Sequence, residues 1–112
     1  MPSVLFHVND AAVAKHQAAV RNIANLLREM PELEVELVVQ GEAITMAKQE
    51  ESSVRSELAS LQQQGLKIAV CHNTMIAKGV QPEQLIANVV VVPSAVGELV
   101  RRQGEGAAYV KP

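Results

Sequence analysis

Cysteine occurs once in this 112-residue chain, at Cys71, with the apolar run Ile68-Ala69-Val70 before it and His72-Asn73-Thr74 after it. A thiol at the point where a strand turns into a helix meets free backbone N–H groups and the positive end of a helix dipole. Both favour the thiolate. That placement predicts a thiol pKa below the free value of about 8.5 and hence a competent nucleophile. A free cysteine is also among the most buried residue types, so space-filling is the alternative role. Three histidines accompany it, His7, His16 and His72. His7 is either a partner base or a hydrogen-bonded member of the first apolar run. His72 is adjacent to Cys71, but side chains alternate along a strand, which turns it away. His16 falls on a helical apolar seam and reads as a packed or interface residue.

Other chemistries are excluded by what the sequence lacks. The histidines have no metal-ligand spacing and one cysteine cannot build a zinc knuckle, so no metal is expected. Val8-Asn9-Asp10-Ala11 stands where a glycine-rich dinucleotide loop would follow the first strand, and no Walker loop occurs, so no cofactor is expected. Ala77 occupies the position that a Cys-x5-Arg phosphatase loop gives to arginine. Ser94 lacks a nucleophile elbow and serves as a helix cap. A net charge of −2, with Phe6 and Tyr109 as the only aromatics, gives neither a cationic footprint nor a stacking surface for nucleic acid. No apolar run reaches the roughly 18 residues of a membrane span. The first residues lack the basic region of a signal peptide. The expected compartment is the cytoplasm, where a lone thiol stays reduced.

The elements that must position Cys71 follow from periodicity. Val4–Val8 reads as a buried strand, and Asp10 is placed to cap a helix whose stripe is Val13, His16, Val20, Ile23, Leu27 and Met30, ended by Pro31. Glu34–Val39 alternates at first and then turns fully apolar, which predicts a strand near a sheet edge. Residues 42–51 predict a loop or short helix anchored by Ile44 and Met46. Ser52 or Ser53 caps a helix carrying Val54, Leu58 and Leu61, closed at Gly65. Leu66–Cys71 is a strand, Asn73 or Thr74 caps a short helix to Gly79, and Pro82 starts a further turn. Val89–Val92 is a strand. Ser94 caps a last helix with Val96, Leu99 and Val100 on one face, and Ala107–Lys111 is a terminal strand.

Strict alternation of apolar strands with helices predicts a single domain over residues 1–112. Its architecture is a three-layer α/β/α sandwich around a mainly parallel five-stranded sheet. In such sheets ligands bind outside the carboxyl ends of the strands. Those ends carry His7 and Asn9, Gln40 and Gly41, Cys71, His72 and Asn73, and Pro93 and Ser94, so one rim gathers them. Cys71 is the candidate catalytic residue there, with His7, Asn9, His72 and Asn73 in support.

The residues around Cys71 resemble a known family. Ile68-Ala69-Val70-Cys71, then a short helix and Lys78-Gly79-Val80, is similar to the segment of DsrE/DsrF-like proteins in which a cysteine ends the third strand. The ending Val92-Pro93-Ser94-Ala95-Val96-Gly97-Glu98-Leu99, followed by Arg101-Arg102-Gln103 and Ala108-Tyr109-Val110-Lys111-Pro112, resembles the small single-domain members more closely still. Val38-Val39-Gln40-Gly41 with Ile44 fits as well. The resemblance spans nearly the whole chain and is most specific after Leu66.

The resemblance implies a small α/β fold, homo- or hetero-oligomers that are often trimers or hexamers, and in some members sulfur relay. There a cysteine at the Cys71 position accepts sulfane sulfur as a persulfide and passes it on. Only Cys71 carries over as a site residue; the other rim residues come from the topology. With one thiol per chain, transfer must run between molecules, from a sulfur-donor protein to a sulfur-acceptor protein. The alternative is a non-catalytic oligomeric module that binds a small ligand or protein, with Cys71 structural. In either case a homo-oligomer is expected, its contacts covering the Ile44–Met46 segment and the terminal strand with Tyr109.

Overall fold

The computed structural model describes residues 2–112. Five strands form one sheet: β1 (Ser3–Val8), β2 (Glu34–Val39), β3 (Lys67–Cys71), β4 (Val90–Val92) and β5 (Ala108–Val110). Four α-helices alternate with them: α1 (Val13–Glu29), α2 (Arg55–Gln63), α3 (His72–Lys78) and α4 (Ala95–Gly104). The strand order is β4-β3-β2-β1-β5 and every pairing is parallel. The expected three-layer α/β/α sandwich is therefore present. The chain steps outward from β1 to β4, and α4 then carries it back across the sheet so that β5 pairs on the free side of β1.

The two faces of the sheet are unequal, and this follows from side-chain alternation. Val4, Phe6 and Val8 of β1, with Val35, Leu37 and Val39 of β2 and Ile68 and Val70 of β3, point to one side. There they meet Ala19, Val20, Ile23 and Leu27 of α1, Leu58 and Leu61 of α2, and Met75 of α3. Each of these Val, Leu, Ile, Phe and Met side chains contributes about 1.5–3 kcal/mol when removed from water, so this layer holds most of the core's stabilisation. On the other side Leu5, Val38, Ala69, Cys71 and Val92 are covered by Ala95 and Leu99 of α4.

Several expectations are refined. Ile44 and Met46 lie in a 3-10 segment at Gly41–Ala47 and are buried within the chain itself, so no partner is needed to cover them. Ala12, not Asp10, holds the cap position of α1; Asp10 acts two residues earlier, its Oδ1 accepting from Ala12 N at 2.7 Å, which turns the chain into the helix. His16 is packed in that helix's buried face, its Nε2–H donating to the Asp10 carbonyl at 2.6 Å. Cys71, rather than Asn73 or Thr74, holds the cap position of α3.

Two expectations are overturned. β2 is not near an edge; it is the middle strand, flanked by β1 and β3. Its Glu36, which read as the wet face of an edge strand, is 2% exposed and is held by Arg102 and Lys67. Charge pairing from neighbouring elements, invisible to periodicity, permits a carboxyl there. On α4 the buried residues are Ala95, Glu98 and Leu99, whereas Val96 and Val100 are 60% and 66% exposed. The helix turns Glu98 inward and leaves the two valines as an uncovered apolar stripe.

Candidate functional site

The carboxyl edge of the sheet divides into two groups. The first centres on Cys71, the last residue of β3. Beyond β4 the Ser94 hydroxyl caps α4 by accepting from Gly97 N at 3.0 Å. A β-carbon on Gly97 would lie 2.7 Å from that hydroxyl, so a larger residue there would displace the Ser94 cap. The capped turn places Ala95 N 3.3 Å from the Cys71 sulfur. From α3, the Thr74 hydroxyl and the backbone N–H groups of Thr74 and Asn73 also act on it. Thr74 Oγ1 in turn accepts from Gly41 N at 2.9 Å. Since that donor occupies one side of the hydroxyl oxygen, the hydroxyl proton is left for the sulfur.

Burial pushes the Cys71 thiol up, yet the hydrogen bonds from Thr74, Ala95 and Asn73 outweigh it and bring the pKa below the ordinary thiol value. The predicted direction is therefore present. The position also satisfies the packing alternative, because Cys71 is only 3% exposed and sits among Val92, Ala95 and Ala69.

The second group is built around His7. Its Nε2–H donates to Gln40 Oε1 at 2.8 Å, which leaves Nδ1 to accept from the Tyr109 hydroxyl at 2.7 Å. The register explains the row. Leu5 pairs with Tyr109 and with Glu36, and His7 pairs with Val38, so Tyr109, His7 and Gln40 share the sheet face that carries Cys71. Tyr109 on β5 and His7, Gln40 and Cys71 at the carboxyl ends of β1, β2 and β3 thus form a row across four neighbouring strands. His7 is nevertheless two strands from Cys71, roughly 10 Å across the sheet. Among the described residues neither His7 nor His72 hydrogen-bonds the sulfur, so no imidazole is its immediate partner.

The remaining rim residues are separate. Asn9 accepts from Lys111 Nζ at 2.7 Å on the β1–β5 side. His72 and Asn73 are exposed on the first turn of α3, and His72 lines a groove of about 470 Å³ with Ile76, Pro82 and Val91. A cavity of about 540 Å³ lies away from the thiol, between α2 and residues 86–88. Gln40, Tyr109 and the Ala95 N–H were not legible as partners, since only strand order and the return of α4 bring them in. No group of three or more histidine, cysteine or acidic side chains among the described residues could hold a metal ion. No described helix is long and apolar enough to cross a membrane.

Comparison with known proteins places this geometry. The DsrE/DsrF-like family matches residues 3–112. The fold is similar to that of a protein of unknown function, MTH1491 from Methanobacterium thermoautotrophicum, at 29% identity and a TM-score of 0.95, with all of both chains covered. It is also similar to the ychN protein from E. coli, at 17% identity and a TM-score of 0.85, again over both full chains. A search of curated proteins finds none that matches. With a cysteine closing its third parallel strand and a match from residue 3 to residue 112, the chain belongs to the DsrE/DsrF-like family.

Proposed function

We propose that the protein is a sulfur-relay component that carries sulfane sulfur on Cys71. The Cys71 thiolate attacks the outer sulfur of a donor persulfide; a new S–S bond forms, the donor's S–S bond breaks, and the donor leaves as a thiolate. The persulfide on Cys71 is then discharged by an acceptor thiolate in the same way, with no net redox change. The observation that carries this reading is the approach of Ala95 N to the sulfur at 3.3 Å, joined by the donors of α3 that lower its pKa. Family membership supports it. His72 and Asn73, exposed beside Cys71, form the surface a donor or acceptor would meet, while His7 and Asn9 shape the rim on its β1 side. A reducing cytoplasm suits such a thiol.

The test is intact mass after incubation with a sulfane donor. Wild type should gain one sulfur atom, about 32 Da, and Cys71→Ser should not. No adduct with persulfide, polysulfide or thiosulfate donors would sink the proposal.

A second reading has its own observation: Cys71 is 3% exposed and packed beneath α4. On that reading the protein is a non-catalytic oligomeric binding module and the cysteine is structural. A thiol that alkylates only in denaturant would favour it. In both readings the chain forms a homo-oligomer, a trimer or hexamer, and the Val96–Val100 stripe is the surface to be covered.

A further inference from the structure

Beneath α4 lies a second unusual feature, distinct from the sulfur centre. Glu36 of β2 and Glu98 of α4 are each 2% exposed, and the same ammonium group, that of Lys67, lies against both carboxyls. Arg102 Nε donates to Glu36 Oε1 at 3.0 Å, whereas Glu36 Oε2 is buried and no donor reaches it. An ionised Glu36 would therefore leave a bare oxygen against a second carboxylate, a costly arrangement in a low-dielectric layer. A proton shared with Glu98 removes that cost. The surrounding charges come from two elements. β3 supplies Lys67, whose Nζ is 3.9 Å from Glu36 Oε1 and 3.6 Å from Glu98 Oε2. α4 supplies Arg101, paired with Glu98, and Arg102, which also pairs with Glu105 just past the helix end. β1 presents only Leu5 beside Glu36.

We propose that Glu36 and Glu98 share a proton that clamps α4 to the sheet, and that losing this proton loosens α4 and with it the cover over Cys71. The mechanical link is short. Glu98 lies one turn beyond Ala95, whose N–H reaches the sulfur, so a shift of α4 away from β2 carries the Cys71 cover with it. The protein thus couples an acid–base equilibrium in its interior to access at the carboxyl rim. Release of the clamp and ionisation of the thiol both run toward higher pH. The role in sulfur handling rests on the reading of Cys71 above; the clamp does not.

The direction follows from linkage. Glu36 is raised from 4.5 to about 7, chiefly by burial and then by the neighbouring Glu98, so the clamped state binds the proton more tightly than the open one. Opening therefore becomes easier as pH rises from 4.5 toward 7 and levels off above that.

Hydrogen exchange of the α4 amides from pH 5 to 8, corrected for intrinsic rates, tests the clamp in the full chain. Wild-type protection should fall by up to about tenfold per pH unit until near pH 7 and then flatten. Glu36→Gln, neutral throughout, should show no such slope; equal slopes in the two proteins would overturn the proposal. Should Glu36→Gln not fold, carboxyl titration by carbon NMR of the wild type decides. One glutamate titrating near 7 supports the pair, and all glutamates near 4.5 overturn it. Cys71 alkylation, expressed per thiolate, should track α4 exchange in the wild type alone; a rate that does not follow α4 overturns the coupling to the thiol. None of these measurements involves sulfur transfer, so a missing persulfide adduct leaves them unaffected.

Discussion

Thr74 joins Gly41 to Cys71: its hydroxyl oxygen takes the Gly41 N–H at 2.9 Å and its proton is directed to the sulfur. The turn that leaves β2 is thereby tied to the thiol that ends β3. Neighbouring strands of the sheet share one hydrogen-bonded relay at their carboxyl ends.

Removing that relay should be visible in the thiol. Thr74→Val is expected to raise the Cys71 pKa and to slow alkylation at pH 7 by roughly three- to tenfold, the range that the loss of about 0.5–1.5 kcal/mol for one hydrogen bond gives. Thr74→Ser should restore the wild-type rate. Iodoacetamide kinetics against pH, with thermal melts to confirm folding, give the measurement. A purely packing role for Thr74 predicts lost stability and an unchanged pKa.

Gly41 tests the same junction from the backbone side. It adopts φ +59°, while a β-carbon there would approach nothing closer than the Asn9 carbonyl at 3.8 Å. Space is available, so Gly41→Ala should cost about 1 kcal/mol through the left-handed conformation alone. Chemical denaturation should show this loss, and a stabilised variant would contradict it.

Arg102→Met should destabilise the protein in a pH-dependent way. Removing the guanidinium leaves the ionised Glu36 without its donor, at a cost on the order of 2 kcal/mol at pH 8. The cost should be less than half as large at pH 5, because burial raises the Glu36 pKa to about 7 and the carboxyl is neutral there. Glu98 is displaced the other way, below the ordinary glutamate value, first by the neighbouring Glu36. Its contribution is present above 4.5 and lost only in stronger acid. Urea melts at the two pH values provide the comparison, and equal losses would show that Glu36 does not hold a proton.

Tyr109→Phe deletes the donor to His7 Nδ1 at a residue that is 42% exposed. A loss of about 0.5–1.5 kcal/mol is expected, with no change in Cys71 alkylation, because the imidazole does not touch the sulfur. A thiol that responds to this substitution would show that the row of strand-end side chains acts as one unit.

Val96→Asp and Val100→Asp address assembly. Both valines are exposed within the chain, so the fold should persist. If the stripe is an interface, light scattering should report an oligomer for wild type and a smaller species for the double variant.

The alternation of elements was legible because each strand is a short apolar run and each helix carries its own period. Cys71 could be placed at a strand end for the same reason. What stayed hidden depended on elements distant in sequence. Glu36 reads as polar alternation at an edge, and only Lys67, 31 positions on, and Arg102, 66 positions on, make it an interior residue. Val96 and Leu99 both satisfy a helical stripe, but the face that is buried carries Ala95, Glu98 and Leu99. His7 reads as a candidate base, but its orientation is fixed by Tyr109, 102 positions away. Periodicity reports which face is apolar along one segment; it carries no information on which segment arrives opposite.

The return of the chain to β1 also sets an order of assembly. Strands β1 to β4 pair with neighbours met one crossover later, whereas Val4 pairs with Ala108 across most of the sequence. Closing that longest loop belongs late in folding. Until α4 and β5 settle, Leu5, Val38, Ala69 and Cys71 have no cover on their face of the sheet. Before residues 95–110 have packed, the lone thiol is therefore open to solvent, and α4 then reduces it to the 3% exposure of the folded chain.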